Sequence, residues 1–298
     1  MEILRTPDER FTGLPGYSFA PNYVEVEGLR IHYLDEGPKH SAPVLLMHGE
    51  PSWCYLYRKM APILSAAGHR VLAPDLVGFG RSDKPASQSD YSYESHVRWI
   101  AGWLKALDLK EVTLVGQDWG SLIGLRLVAE HGDRFARVVI ANGGLPTGEG
   151  KVPEAFRTWQ QFAITTPVLP VGRIVSQGCV TQIAAEVQAA YDAPFPTELY
   201  KAGARAFPKL VPTEASDPAA PANRAAWEKL RAWKKPFLTA SSDSDPITKG
   251  NDLHFQREVP GAQGQPHVTI QGAGHFLQED KGEELAEVVL SWLLAPSF

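Results

Sequence analysis

Short apolar runs alternate with helical patterns along most of the chain. Eight of these runs are strand-like: Tyr23–Glu27, Arg30–Asp35, Val44–His48, Arg70–Pro74, Val112–Gly116, Arg137–Ala141, Pro236–Ala240 and His267–Gln271. The first two nearly alternate polar and apolar residues, and they predict an antiparallel hairpin around Glu27-Gly28. The later runs are short and continuously apolar, which is typical of parallel strands buried on both faces.

Apolar residues at helical spacing fill most of the intervals between these runs. The candidate helices are Trp53–Ala67, Ser92–Leu107, Ser121–Glu130 and Glu279–Leu294. Regular alternation of strand and helix predicts an α/β fold, with an eight-stranded, mostly parallel sheet and helices on both of its faces.

The alternation stops between Asn142 and about Ala222. This segment is rich in Pro, Ala and aromatic residues, and it has several short helical stretches but no convincing strand. We therefore expect a helical cap inserted after the sixth strand, over the carboxyl ends of the strands, where ligands bind in open α/β sheets. The predicted division is a core domain of residues 1–142 and 223–298, and a cap domain of residues 143–222.

Composition narrows the class of protein. With 298 residues and 44 % hydrophobic residues, the chain can bury a sizeable core. A net charge of -5 and scattered basic residues give no reason to expect nucleic acid or an anionic membrane as a partner. The chain has no apolar run long enough to span a membrane, its charged start is unlike a signal peptide, and its two cysteines form no disulfide framework. A cytoplasmic monomer is the expectation.

The segment Val112-Thr-Leu-Val-Gly-Gln-Asp-Trp-Gly120 predicts a strand that leads through a sharp turn into a helix. A polar residue between two glycines at such a turn is typical of the nucleophile elbow of α/β-hydrolases, so the α/β-hydrolase fold is expected. The nucleophile position holds Asp118, and a carboxylate nucleophile forms an ester with a substrate carbon. This favours alkyl halides or epoxides as substrates. The alternative is that Asp118 only caps the helix.

Two further residues complete a catalytic set in the order nucleophile, acid, base. His275 follows the last strand on a glycine-rich loop, and it is predicted to activate the water that hydrolyses the ester. Asp245 follows the seventh strand and is predicted to orient the imidazole. Asp243 competes for that role, but the fixed turn of Asp245-Pro-Ile favours Asp245. An ordinary loop histidine and turn-forming aspartates are the alternatives.

The loop Met47-His-Gly-Glu-Pro-Ser-Trp53 follows the third strand. In α/β-hydrolases a loop here supplies one backbone N–H of the oxyanion hole, and the residue after the nucleophile supplies another. These donors are predicted to be Glu50 and Trp119. Glu50-Pro51 is a candidate cis peptide.

Three motifs together resemble the haloalkane dehalogenases: His48-Gly-Glu-Pro-Ser-Trp53, Gly116-Gln-Asp-Trp-Gly120 and Gly272-Ala-Gly-His-Phe-Leu-Gln278. The resemblance extends over essentially the whole chain. It implies attack of the aspartate on the halogen-bearing carbon and hydrolysis of the resulting ester to an alcohol, a proton and halide. The implied partners are a small halogenated alkane, water and the halide product. Neither a cofactor nor a metal ion is implied, and no His, Asp or Glu cluster has metal-ligand spacing.

A departing halide needs N–H donors in a dry pocket. The indole of Trp119, beside the nucleophile, is one candidate, because an indole nitrogen only donates. Family members take the second donor from a cap tryptophan or from an asparagine after the His-Gly turn. Since Glu50 stands at that turn, the chain resembles the subfamily with a cap tryptophan and an acid after the seventh strand. Trp159 is the one tryptophan of the predicted cap, and packing under the cap is its alternative role.

Four cap residues are candidates for lining the substrate pocket: Phe156, Phe207, Pro208 and Val211. The main rival function is that of an epoxide hydrolase, which would share Asp118 and His275 but needs cap tyrosines as acids. The predicted cap offers Tyr191 and Tyr200 for this role. A second rival is a catalytically silent α/β-hydrolase fold that serves as a ligand-binding receptor.

Overall fold

One large sheet forms the centre of the molecule. A computed structural model describes residues 1–295. The main sheet has eight strands: β1 (Asn22–Val26), β2 (Leu29–Glu36), β3 (Pro43–Met47), β4 (Arg70–Pro74), β5 (Val112–Gly116), β6 (Phe135–Ile140), β7 (Phe237–Ser242) and β8 (Val268–Ile270). All eight predicted strands are confirmed, and their ends lie within two residues of the predicted ones. A small additional sheet, Ile3–Leu4 with Lys84–Pro85, was not predicted.

The strands follow the order β8-β7-β6-β5-β3-β4-β2-β1 across the sheet. Strands β3 to β8 pair in parallel, whereas β2 is antiparallel to both β1 and β4. Glu27 and Gly28 join β1 to β2 with positive φ angles of 52° and 78°, as a tight hairpin turn requires. Because β3 and β5 to β8 are parallel, their carboxyl ends lie along one edge of the sheet.

Ten α-helices lie within residues 1–295. They are α1 (Met60–Ala66), α2 (Tyr93–Ala106), α3 (Trp119–Glu130), α4 (Glu154–Thr165), α5 (Val171–Gln177), α6 (Ala185–Asp192), α7 (Ala202–Leu210), α8 (Ala220–Leu230), α9 (Asn251–Glu258) and α10 (Leu277–Leu294). Helix α1 packs with α10, and α3 packs with α2 and α8. The predicted arrangement, a mostly parallel sheet covered by helices, is confirmed.

The predicted helix Trp53–Ala67 is wrong as one continuous element. The structure divides it into a 3₁₀ turn, Cys54–Tyr57, and the shorter helix α1. Pro62 lies in the first turn of α1, where its missing N–H costs no helical hydrogen bond. In a helix that began at Trp53 the same proline would lie in the interior and interrupt the hydrogen bonding.

The regular secondary structure between β6 and β7 is helical. Residues 141–236, all of which the structure describes, contain five α-helices, α4 to α8, and no strand. The boundary predicted after residue 222 falls in the first turn of α8, which packs on α3 of the core. The division into a core domain and a cap domain stays a prediction; below, the cap denotes residues 143–222.

No helix within residues 1–295 combines the length and the apolar character needed to cross a membrane.

Candidate active site

A strained turn carries Asp118 between β5 and α3. Its backbone has φ 51° and ψ -126°, a conformation that non-glycine residues rarely adopt. The glycines on either side allow a close approach, since a Cβ on Gly120 would lie 1.9 Å from the carbonyl oxygen of Met47 in β3. The Asp118 side chain makes no capping hydrogen bond to α3, so the helix-cap alternative does not hold. The carboxylate instead faces the cavity described below.

The loop after β3 holds this carboxylate. The backbone N–H of Glu50 donates to Asp118 Oδ1 at 2.8 Å. Gly49 must lack a side chain here, because its Cβ would lie 2.2 Å from the same oxygen. Glu50-Pro51 is a cis peptide, as considered from the sequence. The backbone N–H of Trp119, the first residue of α3, has no acceptor within residues 1–295 and is therefore free to bind an oxyanion.

His275 lies between two carboxylates. Its Nδ1 is 3.1 Å from Asp245 Oδ2, and its Nε2 is 3.4 Å from Asp118 Oδ2. Asp245 is buried, and it also accepts hydrogen bonds from the backbone N–H of Ile247 at 2.8 Å and from the Thr248 hydroxyl. These bonds fix the orientation of the carboxylate that faces the imidazole.

Asp243 points elsewhere. It accepts hydrogen bonds from the backbone N–H groups of Gly272 at 3.0 Å and Ala273 at 3.3 Å. It thereby shapes the loop that carries His275, but it makes no contact with the imidazole. Of the two candidate acids, the geometry brings Asp245 to His275.

The three ionisable groups depend on one another. Burial disfavours a charged imidazole, but the charge of Asp245 and the hydrogen bond to Asp118 outweigh it and raise the pKa of His275 to about 10. Burial would raise the pKa of Asp245, yet the charge and hydrogen bond of His275 hold it at about 2. These shifts favour an imidazolium at His275 in the resting site.

Two amides that the sequence analysis did not single out hold the His275 backbone. Gln117 Nε2 donates to the carbonyl oxygen of His275 at 3.1 Å, and Asn142 Nδ2 donates to the same oxygen at 3.1 Å. Asn142 also donates to the Gly274 carbonyl at 2.8 Å. Gln117 directly follows β5, and Asn142 lies two residues after β6; this position at the ends of strands is the signal that could have identified them.

The side chain of Glu50 is a further unpredicted feature. Its carboxyl is buried at the cavity wall, and Oε1 has no hydrogen-bond partner within the described chain. Burial, and next the charge of Asp118, raise the pKa of Glu50 well above its usual value. A raised pKa disfavours a negative charge that would oppose a halide at this position, which agrees with the expectation that Glu50 contributes through its backbone.

A cavity of about 1590 Å³ lies over the carboxyl ends of the strands, and Asp118, Trp119, Glu50 and His275 are among its lining residues. Of the four predicted pocket residues, the structure places Phe156, Pro208 and Val211 on its wall, and Trp159, the predicted halide donor, lies there too.

The expectation for Phe207 is corrected. This side chain is fully buried and does not line the cavity. Its ring instead stacks on the ring of Trp119, with 4.3 Å between centroids and 17° between planes. The ring of Tyr93 meets Trp119 edge-on at 4.9 Å, so the Trp119 indole is held from two sides. Neither the Trp119 nor the Trp159 indole N–H has an acceptor within residues 1–295, and both indoles line the cavity.

The two cap tyrosines lie outside the cavity wall. Tyr191 is fully buried, and its hydroxyl donates to Glu279 Oε2 at 2.6 Å. Tyr200 is half-buried and does not line the cavity either. The acids that an epoxide hydrolase would need are therefore not presented to the site by these residues.

One group of potential metal ligands comes together elsewhere among the described residues: His32, Cys54 and Asp75, with ligand atoms within 4.8 Å of one another. Asp75 already accepts hydrogen bonds from His32 Nδ1 at 2.7 Å, from the Cys54 backbone at 2.8 Å and from the Arg81 backbone at 2.8 Å. These bonds hold the loop after β4, and we assign the group a structural role.

Comparisons with known proteins agree with this geometry. The family model for the alpha/beta hydrolase fold matches residues 42–282. A haloalkane dehalogenase of Psychrobacter cryohalolentis is 58 % identical over 98 % of this chain and 98 % of its own, and haloalkane dehalogenase 1 of Mycobacterium bovis is 59 % identical over 98 % and 99 %. The tetrameric structure of a haloalkane dehalogenase from Paraglaciecola agarilytica matches with a TM-score of 0.92 and 39 % identity, over 99 % of this chain and 100 % of that one. This chain belongs to the haloalkane dehalogenases, a family with the α/β-hydrolase fold.

Proposed function

We propose that this chain hydrolyses the carbon–halogen bond of haloalkanes to a primary alcohol, halide and a proton, through a covalent ester on Asp118. The observation that carries the proposal is the pairing of a carboxylate nucleophile with two unpartnered indole N–H groups, those of Trp119 and Trp159, on the wall of one cavity. A carboxylate suits attack on an alkyl carbon, and the indoles suit the anion that leaves.

In the first step, an Asp118 oxygen attacks the halogen-bearing carbon. The new carbon–oxygen bond forms as the carbon–halogen bond breaks, and the halide departs with the bonding electron pair. Trp119 and Trp159 donate their indole N–H groups to this developing charge. His275 Nε2 lies 3.4 Å from Asp118 Oδ2, so the base stands beside the carbonyl carbon that the water will attack.

In the second step, alkylation removes the negative charge of Asp118 and with it one cause of the raised His275 pKa. Since burial favours the neutral imidazole, His275 now releases its proton to solvent. The neutral imidazole then takes a proton from water as the water oxygen attacks the ester carbonyl. The Glu50 and Trp119 backbone N–H groups stabilise the oxyanion on Asp118. Asp245 stabilises the imidazolium that forms, and collapse of the intermediate releases the alcohol. These steps call for no cofactor.

The epoxide hydrolase alternative is less well supported by the site. Opening an epoxide requires an acid that protonates the ring oxygen, and Tyr191 donates its hydroxyl to Glu279 away from the cavity. A ligand-binding receptor without activity would not require the His275–Asp245 pair beside Asp118.

Two finer expectations from the sequence, a monomeric state and a cytoplasmic location, also stay proposals. One solved relative is tetrameric, so the monomer does not follow from the family.

The test is release of halide and protons from 1,2-dibromoethane and 1-bromobutane, with hydrolysis of styrene oxide measured in parallel. We expect turnover of the bromides and little epoxide opening. Epoxide opening without halide release would reject the proposal.

Asp118→Asn is the control variant, because it removes the nucleophile while keeping the shape of the side chain. We expect halide release to fall by at least about a thousandfold, since the nucleophile has no substitute, with the thermal unfolding midpoint close to that of the wild type. A single turnover in oxygen-18 water adds a chemical criterion: the alcohol should carry the unlabelled oxygen of Asp118. Labelled alcohol in that first turnover would argue against the ester.

A further inference from the structure

Asp280, five residues after His275, joins the cap to the loop that carries the catalytic histidine. Its Oδ2 accepts hydrogen bonds from the backbone N–H groups of Gly274 at 2.8 Å and Val180 at 2.9 Å. Its Oδ1 accepts from the Thr181 backbone at 2.8 Å and from the Thr181 hydroxyl at 2.5 Å. One carboxylate therefore bonds residues of both domains, and one of its donors directly precedes His275.

The two segments also touch through their backbones. The Phe276 N–H donates to the carbonyl oxygen of Gly178, at the end of α5, with a distance of 3.3 Å. A Cβ on Gly274 would lie 2.4 Å from that oxygen, and a Cβ on Gly178 would lie 2.7 Å from the ring of Phe276. The absence of both side chains lets the cap segment lie directly on the histidine loop.

This cap segment is part of the cavity wall, which Gly178, Cys179 and Val180 line. Within residues 1–295, Asp280 forms no salt bridge with a lysine or arginine, and its charge is met by the donors of the two segments. Loss of the carboxylate would leave the N–H groups of both segments without an acceptor and release one segment from the other.

We infer that Asp280 is a positioning residue that holds His275 against the cap and thereby serves hydrolysis of the ester more than its formation. The inference rests on the proposed function. Ester formation depends on Asp118, which is held through its Oδ1 by the Glu50 backbone N–H and not by Asp280. Ester hydrolysis depends on His275 Nε2 and its water, and a misplacement of about 1 Å can cost up to about a hundredfold in rate.

The experiment compares Asp280→Asn with Asp243→Asn. Asp243 is the matched control, because it accepts hydrogen bonds from Gly272 and Ala273 in the same loop but from no cap residue in the described part of the chain. Single-turnover rapid-quench reactions with 1-bromobutane would follow bromide and butanol separately. Mass spectrometry would follow the butyl ester on the peptide that contains Asp118.

We expect bromide formation in Asp280→Asn to stay within about twofold of the wild type, while butanol formation slows about tenfold and the ester accumulates. Asp243→Asn should leave the ratio of the two rates near that of the wild type. Equal slowing of bromide and butanol in Asp280→Asn would overturn the inference. The same selective slowing in both variants would also overturn it, because the contact with the cap would then be irrelevant.

Thr181→Val provides a second variant if Asp280→Asn does not fold. It removes one hydrogen bond on the cap side and leaves Asp280 in place. We expect butanol formation to slow about threefold with bromide formation unaltered, and an unaltered butanol rate would overturn the inference. If the wild-type chain releases no bromide, the proposed function itself is rejected. If the wild type turns over but the ratio of bromide to butanol formation is the same in the variants, only this inference is rejected.

Discussion

At the scale of single residues, the two proposed halide donors are held very differently. Trp119 is 2 % exposed and fixed between Phe207 and Tyr93. Trp159 is half-buried on α4, where its ring has a tilted contact with Phe162 at 6.2 Å. The proposed halide site therefore combines a tightly packed donor on the core with a second, less buried donor on the cap.

Trp159→Phe tests the second donor, because it retains a ring and removes the N–H. A hydrogen bond to a charged group contributes about 1.5–3 kcal/mol, so we expect kcat/KM for 1-bromobutane to fall about 10- to 100-fold. Inhibition by bromide should weaken in parallel. Trp227→Phe is the control, since Trp227 also lines the cavity but already donates its N–H to the Leu145 carbonyl. Unaltered halide affinity in Trp159→Phe would show that another group binds the halide.

The raised pKa of His275 predicts a pH dependence of stability. A group whose pKa rises on folding stabilises the folded state fully below its unfolded pKa, here 6.5, and loses that contribution as the pH rises through about 10. Between these values, the free energy of unfolding should fall more in the wild type than in His275→Gln, which has no titrating group at this position. Urea denaturation at a series of pH values would measure it. If the free energy of unfolding depends on pH in the same way in both proteins, the raised pKa of His275 is contradicted.

The sequence identifies residues that lie in local motifs, but it does not show which residues act on distant partners. Asp118, Asp245 and His275 lie in local motifs, and the structure brings them together. Gln117 acts on a carbonyl 158 residues away along the chain, and nothing in its neighbourhood indicates that target. The position of Phe207 in the cap was apparent, but the face of α7 that turns toward Trp119 was not.

At the scale of elements, α3 is pressed against β3. A Cβ on Gly120 would collide with the carbonyl of Met47, which is backbone and cannot yield. A Cβ on Gly124 would lie 2.7 Å from a methyl group of Leu114, which is a flexible side chain. An added methyl group would therefore collide with fixed backbone at Gly120 but only with a flexible side chain at Gly124.

Gly120→Ala should destabilise the protein by about 3 kcal/mol or more, or prevent folding, because the Met47 backbone cannot move aside for the added methyl group. Gly124→Ala should leave the free energy of unfolding nearly unaltered. The gain of roughly 0.5–1 kcal/mol in helix propensity offsets the cost of a small shift of the Leu114 side chain. Urea denaturation of both variants gives the comparison. Similar free energies of unfolding for the two would refute this description of the contact between α3 and β3.

The strands were predicted more accurately than the helices, for a physical reason. A parallel strand buried on both faces is continuously apolar, and such runs end sharply at polar or glycine residues. Helix ends depend on single residues. Helix α1 begins at Met60 and not at the predicted Trp53, because Pro62 fits only in the first turn of a helix. Helix α9 was not predicted, and Phe255 is its one buried residue, so its apolar pattern is weak.

At the scale of the whole molecule, a buried network ties the cap to the core. Arg58 binds both carboxylate oxygens of Glu279 at 2.7 and 2.6 Å, and the Tyr191 hydroxyl of α6 donates to the same carboxylate. Glu279 lies four residues after His275, so this network and the Asp280 contacts both anchor the cap near the catalytic loop. The sequence predicted the cap as an insertion, but it could not indicate these contacts, because each joins segments far apart in the chain.

Tyr191→Phe separates the structural role of this tyrosine from the catalytic one required by the epoxide hydrolase alternative. Loss of a hydrogen bond to a buried carboxylate should lower the free energy of unfolding by about 1.5–3 kcal/mol. Bromide turnover should stay within about twofold, because Tyr191 does not line the cavity. Steady-state kinetics and thermal unfolding would measure the two effects. A loss of turnover greater than tenfold in a folded variant would place Tyr191 in the chemistry.

Cys179 has a consequence for how long such an enzyme survives. The proposed substrates are alkylating agents, and an ionised thiol can attack their halogen-bearing carbon just as a carboxylate can. Cys54 is fully buried, whereas Cys179 lines the cavity that admits these compounds. Burial, and then the charges of Asp280 and Glu279, raise the pKa of the Cys179 thiol and keep it protonated. The enzyme thus exposes to its own reagents a thiol in its unreactive form, which protects it from self-inactivation over many turnovers.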